Sequence, residues 1–173
     1  MKKIFLFLFI LIASAAANAQ AYIGGTFGLG VESVSTEGDT ETGVALALAP
    51  EAGYYFNKTW ALGASVGVQY SKVADIGVTT FSILPYVRAT FARAGAFDFF
   101  AELAMGYAHQ KVEDFDGVGG FIAGFRPGFA AHLGEKFSLI GRTTLLQYTH
   151  YDGISDFGFA INSNVELGLQ FTF

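Results

Sequence analysis

Hydrophobic and polar residues alternate one by one through most of the chain after residue 20. Near the C-terminus, Val165, Leu167, Leu169 and Phe171 fall on one face of an extended strand, and small or polar residues fall on the other. A period of two is typical of a strand with one apolar face. The same alternation can be followed in eight stretches, which are 21–32, 44–55, 62–70, 81–91, 98–109, 119–132, 137–148 and 161–173.

The polar face of these strands would be a poor surface for contact with water. It is rich in Gly, Ala and Ser and carries few long charged side chains, whereas the other face is rich in Leu, Val and Phe. An eight-stranded barrel has an interior just wide enough for side chains to fill. Small residues suit that interior, and the apolar face suits lipid. The pattern therefore predicts an all-β fold: an eight-stranded antiparallel up-and-down transmembrane β-barrel.

The composition agrees with a chain that crosses a membrane as strands. Hydrophobic residues make up 52% of the 173 residues and charged residues only 14%, against about 25% charged residues in ordinary soluble domains. No stretch after residue 20 approaches the ~20 apolar residues that a membrane helix needs. The apolar excess is instead distributed singly along the alternating strands.

The predicted connections alternate between longer and shorter ones. The longer ones, at 33–42, 71–78, 110–118 and 149–157, contain Glu37, Asp39, Glu41, Asp75, Glu113, Asp114, Asp116, Asp152 and Asp156. The shorter ones lie around Lys58, Arg93 and Lys136. Outer-membrane barrels have short periplasmic turns and longer outer loops, so we expect the acidic loops outside the cell. Since they lack the twelve-residue pattern of a calcium loop, we interpret them as a solvated surface; binding of Ca²⁺, or bridging to lipopolysaccharide phosphates through divalent ions, is the alternative.

The first 19 residues have the pattern of an export signal. A basic start is followed by an apolar run of nine residues from Ile4 to Ile12 and by small residues that end in Ala-Asn-Ala at 17–19. This order matches a signal peptide with an A-x-A cleavage site, and the run is too short for a membrane anchor. We predict a cleavable signal peptide at 1–19 and an outer-membrane β-barrel domain at 20–173.

Charged residues at inward positions of the predicted strands are the candidate functional residues. There are six: Glu51, Arg88, Glu102, Arg126, Arg142 and Glu166. Their three acids and three arginines cancel, and buried charges must be paired and hydrogen-bonded to be tolerated. We interpret them as an ion-pair network that closes the lumen together with the inward Tyr55, Tyr86 and Phe100. A gate, or a path for protons or ions, is the alternative interpretation.

The histidines do not form a metal-binding or catalytic pattern. His109, His132 and His150 lack metal-ligand spacing, and the chain contains no cysteine. His150 lies near Asp152 and Ser155, a loose resemblance to barrel lipid A deacylases of the PagL type. Because catalytic triads are recognised by geometry, we predict no catalytic residue, no metal site and no cofactor. The acidic balance of the chain also argues against nucleic acid as a partner.

The C-terminal strand carries the most specific motif. Glu166, Gly168, Phe171 and Phe173 fit the polar-x-Gly-x-x-aromatic-x-aromatic ending that outer-membrane barrels use as an insertion signal. With this ending, the chain resembles the small eight-stranded outer-membrane β-barrel family, the class of OmpX, Ail and the membrane domain of OmpA. The mid-strand prolines in ALAPEAGYYF, SILPYVRATF and GFRPGFAAHL, and the sequence WALG at 60–63, resemble the Bacteroidetes versions of this family.

The resemblance implies a location and a set of partners. It implies a monomer in the bacterial outer membrane, in contact with outer-membrane lipid and lipopolysaccharide, delivered by periplasmic chaperones and inserted by the β-barrel assembly machinery. We therefore expect a structural, envelope-integrity or surface-interaction role without catalysis. The alternatives are a narrow pore or passive channel for small solutes, and an outer-leaflet lipid A hydrolase that uses His150.

Overall fold

Antiparallel strands make up nearly all of the described structure. The computed structural model describes residues 20–36, 39–73, 76–113, 116–159 and 165–173. The strands are β1 (Gln20–Thr36), β2 (Asp39–Tyr55), β3 (Trp60–Val73), β4 (Ile76–Ala94), β5 (Phe97–Val112), β6 (Val118–His132), β7 (Phe137–Thr143), β8 (Leu146–Tyr151), β9 (Ile154–Phe159) and β10 (Val165–Thr172). No helix in this described part is long and apolar enough to cross a membrane.

The strands close into a barrel of eight. Each of β1 to β6 pairs with its neighbour in sequence, and β1 also pairs with β10. Both β7 and β8 pair with β6, so they form the seventh barrel strand in two segments. In the same way β9 pairs with β8 and β10 pairs with β7, which completes the eighth. The predicted eight-stranded antiparallel barrel is confirmed.

The seventh barrel strand is irregular where β7 gives way to β8. On β6, Phe125 pairs with Leu146 whereas Gly128 pairs with Arg142. The seventh strand therefore fits one more residue than β6 into this stretch, which is the geometry of a β-bulge. Pro127, which has no N–H to donate to a ladder, lies in the same stretch of β6. The extra residue explains why the alternation is less clean across 137–148.

The apolar faces of the strands point out of the barrel. Leu48, Leu103 and Leu169 are each more than half exposed, whereas Ala45 and Ala61 on the inner face are buried. Many other apolar side chains on the outer faces of the strands are exposed as well. A large contiguous apolar surface of this kind is typical of contact with lipid. The prediction that the apolar face points outward and the small, polar face inward is confirmed.

Two bands of exposed aromatic residues mark the limits of the apolar surface. On three adjacent strands, exposed aromatic residues lie ten positions apart, at Trp60 and Tyr70 on β3, Phe81 and Phe91 on β4, and Phe97 and Tyr107 on β5. Ten residues of a strand rise about 33 Å, which corresponds to about 25 Å along the axis of a barrel with a typical strand tilt. This is the height of the apolar band of outer-membrane barrels.

The two ends of the barrel differ in their connections. At one end, which we call the turn end, short turns follow β2, β4 and β6, and both Gln20 and Phe173 lie there. Gly95 takes a positive φ of 61° in one of these turns, a conformation that glycine adopts without strain. At the other end, which we call the hairpin end, β3 and β4 continue well past Tyr70 and Phe81.

The expectation of loops at the hairpin end is wrong for most of the residues concerned. Pairing between β1 and β2 continues to Thr36 and Asp39, and pairing between β3 and β4 continues to Val73 and Ile76. The stretch 149–157 forms most of the β8–β9 hairpin. Backbone hydrogen bonds hold a ladder whatever its side chains are, so these strands persist after alternation has disappeared from the sequence. The chain thus carries paired antiparallel strands where we expected loops.

The aromatic bands predict the depth of the one tryptophan. Trp60 is half exposed on the lipid face at the turn end, so bromines near the lipid carbonyls should quench its fluorescence more than bromines at the chain ends. In the double variant Trp60→Phe/Val66→Trp, whose tryptophan lies six residues deeper on β3, we expect the reverse order. Equal quenching of the two proteins by both brominated lipids would place the membrane elsewhere on the barrel.

Candidate functional site

All six predicted inward charges lie inside the barrel. They come from six strands: Glu51 from β2, Arg88 from β4, Glu102 from β5, Arg126 from β6, Arg142 from β7 and Glu166 from β10. Five of the residues are buried, and the side chain of Glu166 is 19% exposed. Inward parity places each charge in the lumen, and the ladder register decides which charges meet.

Glu102 is the acid that touches the most arginines. Its carboxylate lies 2.7 Å from Nη2 of Arg88, 2.8 Å from Nη2 of Arg126 and 3.5 Å from Nη1 of Arg142. Arg88 and Arg126 are its direct cross-strand neighbours on β4 and β6, so the sheet itself brings opposite charges together. Because Glu102 has no exposed surface, these arginines replace the water that it loses.

Arg142 joins the other two acids of the network, Glu51 and Glu166. Its Nη1 donates to Glu51 at 2.6 Å and its Nε donates to Glu166 at 2.7 Å. Glu166 also accepts a hydrogen bond of 2.9 Å from the hydroxyl of Thr26, which itself accepts one from Nη2 of Arg142. Charge-assisted bonds of this length are the strong ones in proteins. Glu51 also contacts Arg88 at 3.4 Å, so the ion pairs connect into one network.

Arg126 is bonded differently from the other two arginines. Arg88 donates hydrogen bonds to two glutamates, to Gln170 and to Tyr55, and Arg142 is equally well satisfied. Arg126, by contrast, forms an ion pair with Glu102 alone among the described acids and lies 5.3 Å from the centre of the Tyr86 ring, and its buried Nε and Nη2 make no hydrogen bond of good geometry within the described residues. A buried donor without an acceptor is unfavourable, so Arg126 is the incompletely satisfied member of the network.

Aromatic residues fill the lumen beside the network. The hydroxyls of Tyr22 and Tyr86 are 2.8 Å apart, and the guanidinium of Arg88 lies 4.3 Å from the centre of the Phe100 ring. The predicted inward positions of Tyr86 and Phe100 are observed, and both are buried. Tyr22 and Thr26 were missed by the sequence analysis. Their shared parity with Gly24 and Gly28 on β1 is the signal that would have found them.

The lumen widens from the network toward the hairpin end. A cavity of about 520 Å³ lies there, with Arg126 and Glu166 among its lining residues. The rest of its wall is mainly small or neutral polar, including Ser65, Gln69 and Ser82. The interior thus has two parts, a packed charged and aromatic region near the turn end and a polar cavity near the hairpin end.

The three histidines lie outside the network. His150 and Ser155 are cross-strand partners on β8 and β9, and His150 Nδ1 lies 2.8 Å from Ser155 Oγ. His132 contacts Ser138 and lies 3.4 Å from Asp98. Among the described residues, no group of three or more His, Cys, Asp or Glu could hold a metal ion.

Two predicted elements stay predictions. The signal peptide at 1–19 lies outside the described residues. The insertion motif belongs to β10 and its end, where the ring of Phe171 packs against Phe137 at 4.9 Å and against Phe173 at 5.1 Å. These contacts place the half-buried Phe171 and the exposed Phe173 beside the aromatic residues of the turn end.

The sequence and the structure differ in what they match among known proteins. No protein-family model and no curated protein matches the sequence. The structure is similar to Neisserial surface protein A (NspA), with a TM-score of 0.62 at 13% identity over 88% of this chain and 99% of that one. It is also similar to Ail, the attachment invasion locus protein of Yersinia pestis, with a TM-score of 0.51 at 14% identity over 90% of this chain and 97% of that one.

At these identities the likeness concerns the fold. Both matches extend over nearly the whole of the known protein, so they relate complete barrels. With the closed ring of eight strands and the outward apolar face, they confirm the fold that the sequence resemblance implied. The chain therefore has the fold of the small eight-stranded outer-membrane β-barrels.

Proposed function

We propose that this protein is a non-catalytic component of the bacterial outer membrane that acts at the cell surface through its hairpin end, in envelope integrity or surface interaction. The observation that carries the proposal is the continuation of paired strands beyond the apolar band. On β3 and β4 the ladder extends from Tyr70 and Thr79 to Val73 and Ile76. Outer-membrane lipid and lipopolysaccharide would surround the apolar band, and the β-barrel assembly machinery would insert the protein into the membrane.

The packed lumen supports this role over the alternative of a narrow pore. Arg88, Glu102, Tyr22, Tyr86 and Phe100 are all 2% exposed or less. They come from β1, β4 and β5 and bond to residues on β2, β7 and β10, so the packing extends across the barrel. A conducting path through this region would require several buried ion pairs to separate, which is costly in a low-dielectric interior.

The charge of the hairpins bears on the kind of partner. The similar proteins include one named for attachment and invasion, and Ail also has a structure in complex with the heparin analogue sucrose octasulfate, with a TM-score of 0.50 to this chain. Among the described residues, the hairpins here carry the exposed Glu113, Asp116, Asp152 and Asp156. An acidic surface repels polyanions, so the proposed partner is a neutral or basic surface.

One observation favours a second candidate function, an outer-leaflet lipid A hydrolase. Ser155 Oγ lies 2.8 Å from His150 Nδ1 and 3.1 Å from the Tyr148 hydroxyl. These three residues lie on the outward face of β8 and β9, at the edge of the apolar band. Against it, His150 makes no hydrogen bond with a carboxylate among the described residues, whereas a serine–histidine site normally needs such a group to orient the ring.

Complementation with a shortened hairpin tests the proposal. Replacing residues 71–78 by Asn-Gly should leave the barrel folded, because the apolar band is untouched, but the variant should fail to restore detergent resistance or surface binding to a deletion strain. The unboiled protein should still shift on a gel, which controls for folding. Full rescue by the shortened chain would contradict the proposed role of the hairpins.

Two further measurements on the same material separate the alternatives. The purified barrel should give no discrete conductance steps in a planar bilayer, whereas a pore would give them. Lipid A mass spectra should be the same with the intact protein and with Ser155→Ala. Loss of a lipid A acyl chain only with the intact protein would establish the hydrolase instead.

A further inference from the structure

The cavity near the hairpin end has the size and the wall of a small-molecule site. Its volume of about 520 Å³ lies within the ~300–1,000 Å³ range of ligand pockets. Five of its lining residues present neutral hydroxyl or amide groups from four barrel strands: Ser65, Gln69, Ser82, Gln110 and Gln147. Hydroxyl and amide side chains both donate and accept hydrogen bonds. The wall therefore suits a ligand with several hydroxyl groups.

Arg126 gives the cavity one charged contact. It lines the cavity and its side chain is 6% exposed; its Nη2 lies 2.8 Å from the carboxylate of Glu102, and its Nε makes no hydrogen bond within the described residues. Glu166, the other charged residue at this level, is already bonded to Arg142 and Thr26. Among the described residues that line the cavity, Arg126 is thus the only cation, and a carboxylate matches a guanidinium best.

Charge at the entrance limits how much negative charge the ligand can carry. Asp156 lines the cavity on the β9 side, and Asp116 and Asp152 belong to neighbouring hairpins of the same end. A multiply charged anion would meet these carboxylates before it reached Arg126.

We propose that the outer half of the lumen binds a small hydroxylated monocarboxylate, a sugar acid, with its carboxylate on Arg126 and its hydroxyl groups on the Ser and Gln side chains. This binding function goes beyond the surface role proposed above and does not depend on it.

Calorimetric titration of the folded barrel in detergent with D-galacturonate tests the site. We expect saturable binding, at least tenfold weaker binding of glucose, which lacks the carboxylate, and weaker binding of glucose 6-phosphate, which carries more charge. A short neutral oligosaccharide that ends in a single galacturonate serves as a second probe. Binding of the monosaccharide points to a free ligand, and binding of the oligomer alone points to the end of a surface polysaccharide; either result supports the site.

Two glycines provide a matched pair of variants. A Cβ added at Gly158, which lines the cavity, meets nothing within 4 Å, and the same holds for Gly134 at the turn end. Gly158→Phe should fill the cavity and abolish galacturonate binding, whereas Gly134→Phe should bind as the unmodified protein does. Arg126→Gln should weaken binding at least tenfold; should that variant fail to fold, the glycine pair still decides.

Three results would overturn the proposal. The first is the lack of saturable binding of both probes to a barrel shown to be folded by its gel shift. The second is unchanged galacturonate affinity in Gly158→Phe, which would place any binding outside the cavity. The third is equal affinity for galacturonate and glucose, which would remove Arg126 from the site.

Discussion

Replacing Glu102 with leucine is expected to be the most destabilising single change in the barrel. Glu102 has no exposed surface and touches all three inward arginines, so its loss leaves three buried cations with two carboxylates. Removing one partner of a buried ion pair typically lowers the free energy of unfolding by about 3–5 kcal/mol. Urea unfolding of the barrel in lipid vesicles, followed by the fluorescence of Trp60 and by the gel shift, measures this loss.

Two comparisons separate the buried network from a general effect of removing an acid. Asp98→Asn on the same strand removes an acid from a partly exposed pair with Arg93, 3.3 Å away, and should cost at most about 1 kcal/mol. Combining Glu102→Leu with Arg126→Leu restores the balance of charges and should recover part of the loss. If Glu102→Leu costs no more than Asp98→Asn, the network does not stabilise the fold.

The alternation of apolar and polar residues predicted the part of the structure in which the two faces of each strand meet different environments. Within the apolar band one face of each strand meets lipid and the other meets the lumen, so the sequence records the orientation of every second residue. That is why the inward positions of Glu51, Arg88 and Arg142 could be read from parity alone. Beyond the band the apolar face is no longer required, the pattern disappears, and exposed paired residues such as His150 and Ser155 resemble a loop.

The contacts within the site needed information that parity does not contain. Which acid meets which arginine depends on ladder register, and the bulge between β7 and β8 shifts that register by one residue beside Arg142. The incomplete bonding of Arg126 depends on distances between side chains from different strands. The polar cavity likewise results from small residues on neighbouring strands that face one another, which no single strand reveals.

Inside the lumen, the rings of Tyr22 and Tyr86 occupy the space that a side chain at Gly63 would need. A Cβ built on Gly63 would lie 2.5 Å from the Tyr22 hydroxyl and 2.6 Å from both Cζ and the hydroxyl of Tyr86. Gly63 pairs with Gly53 on β2 and with Tyr86 on β4, so the missing side chains leave room for two rings over the sheet. Those rings also pack near the guanidinium of Arg88, at 5.5 and 5.6 Å from its carbon.

Gly63→Val is therefore expected to destabilise the barrel although valine favours strands. The added carbons must displace both rings and break the 2.8 Å hydrogen bond between their hydroxyls, and overpacking of this kind costs about 1–3 kcal/mol in unfolding experiments. Gly124→Val is the matched control, because a Cβ there meets its nearest atoms at 3.5 and 3.6 Å, ordinary contact distances; it should change stability by less than about 1 kcal/mol. In a Tyr86→Leu background Gly63→Val should cost less, since one of the displaced rings is gone. Equal losses for the two valine variants would show that the rings move aside freely, and the lumen near the turn end would then be looser than its contacts indicate.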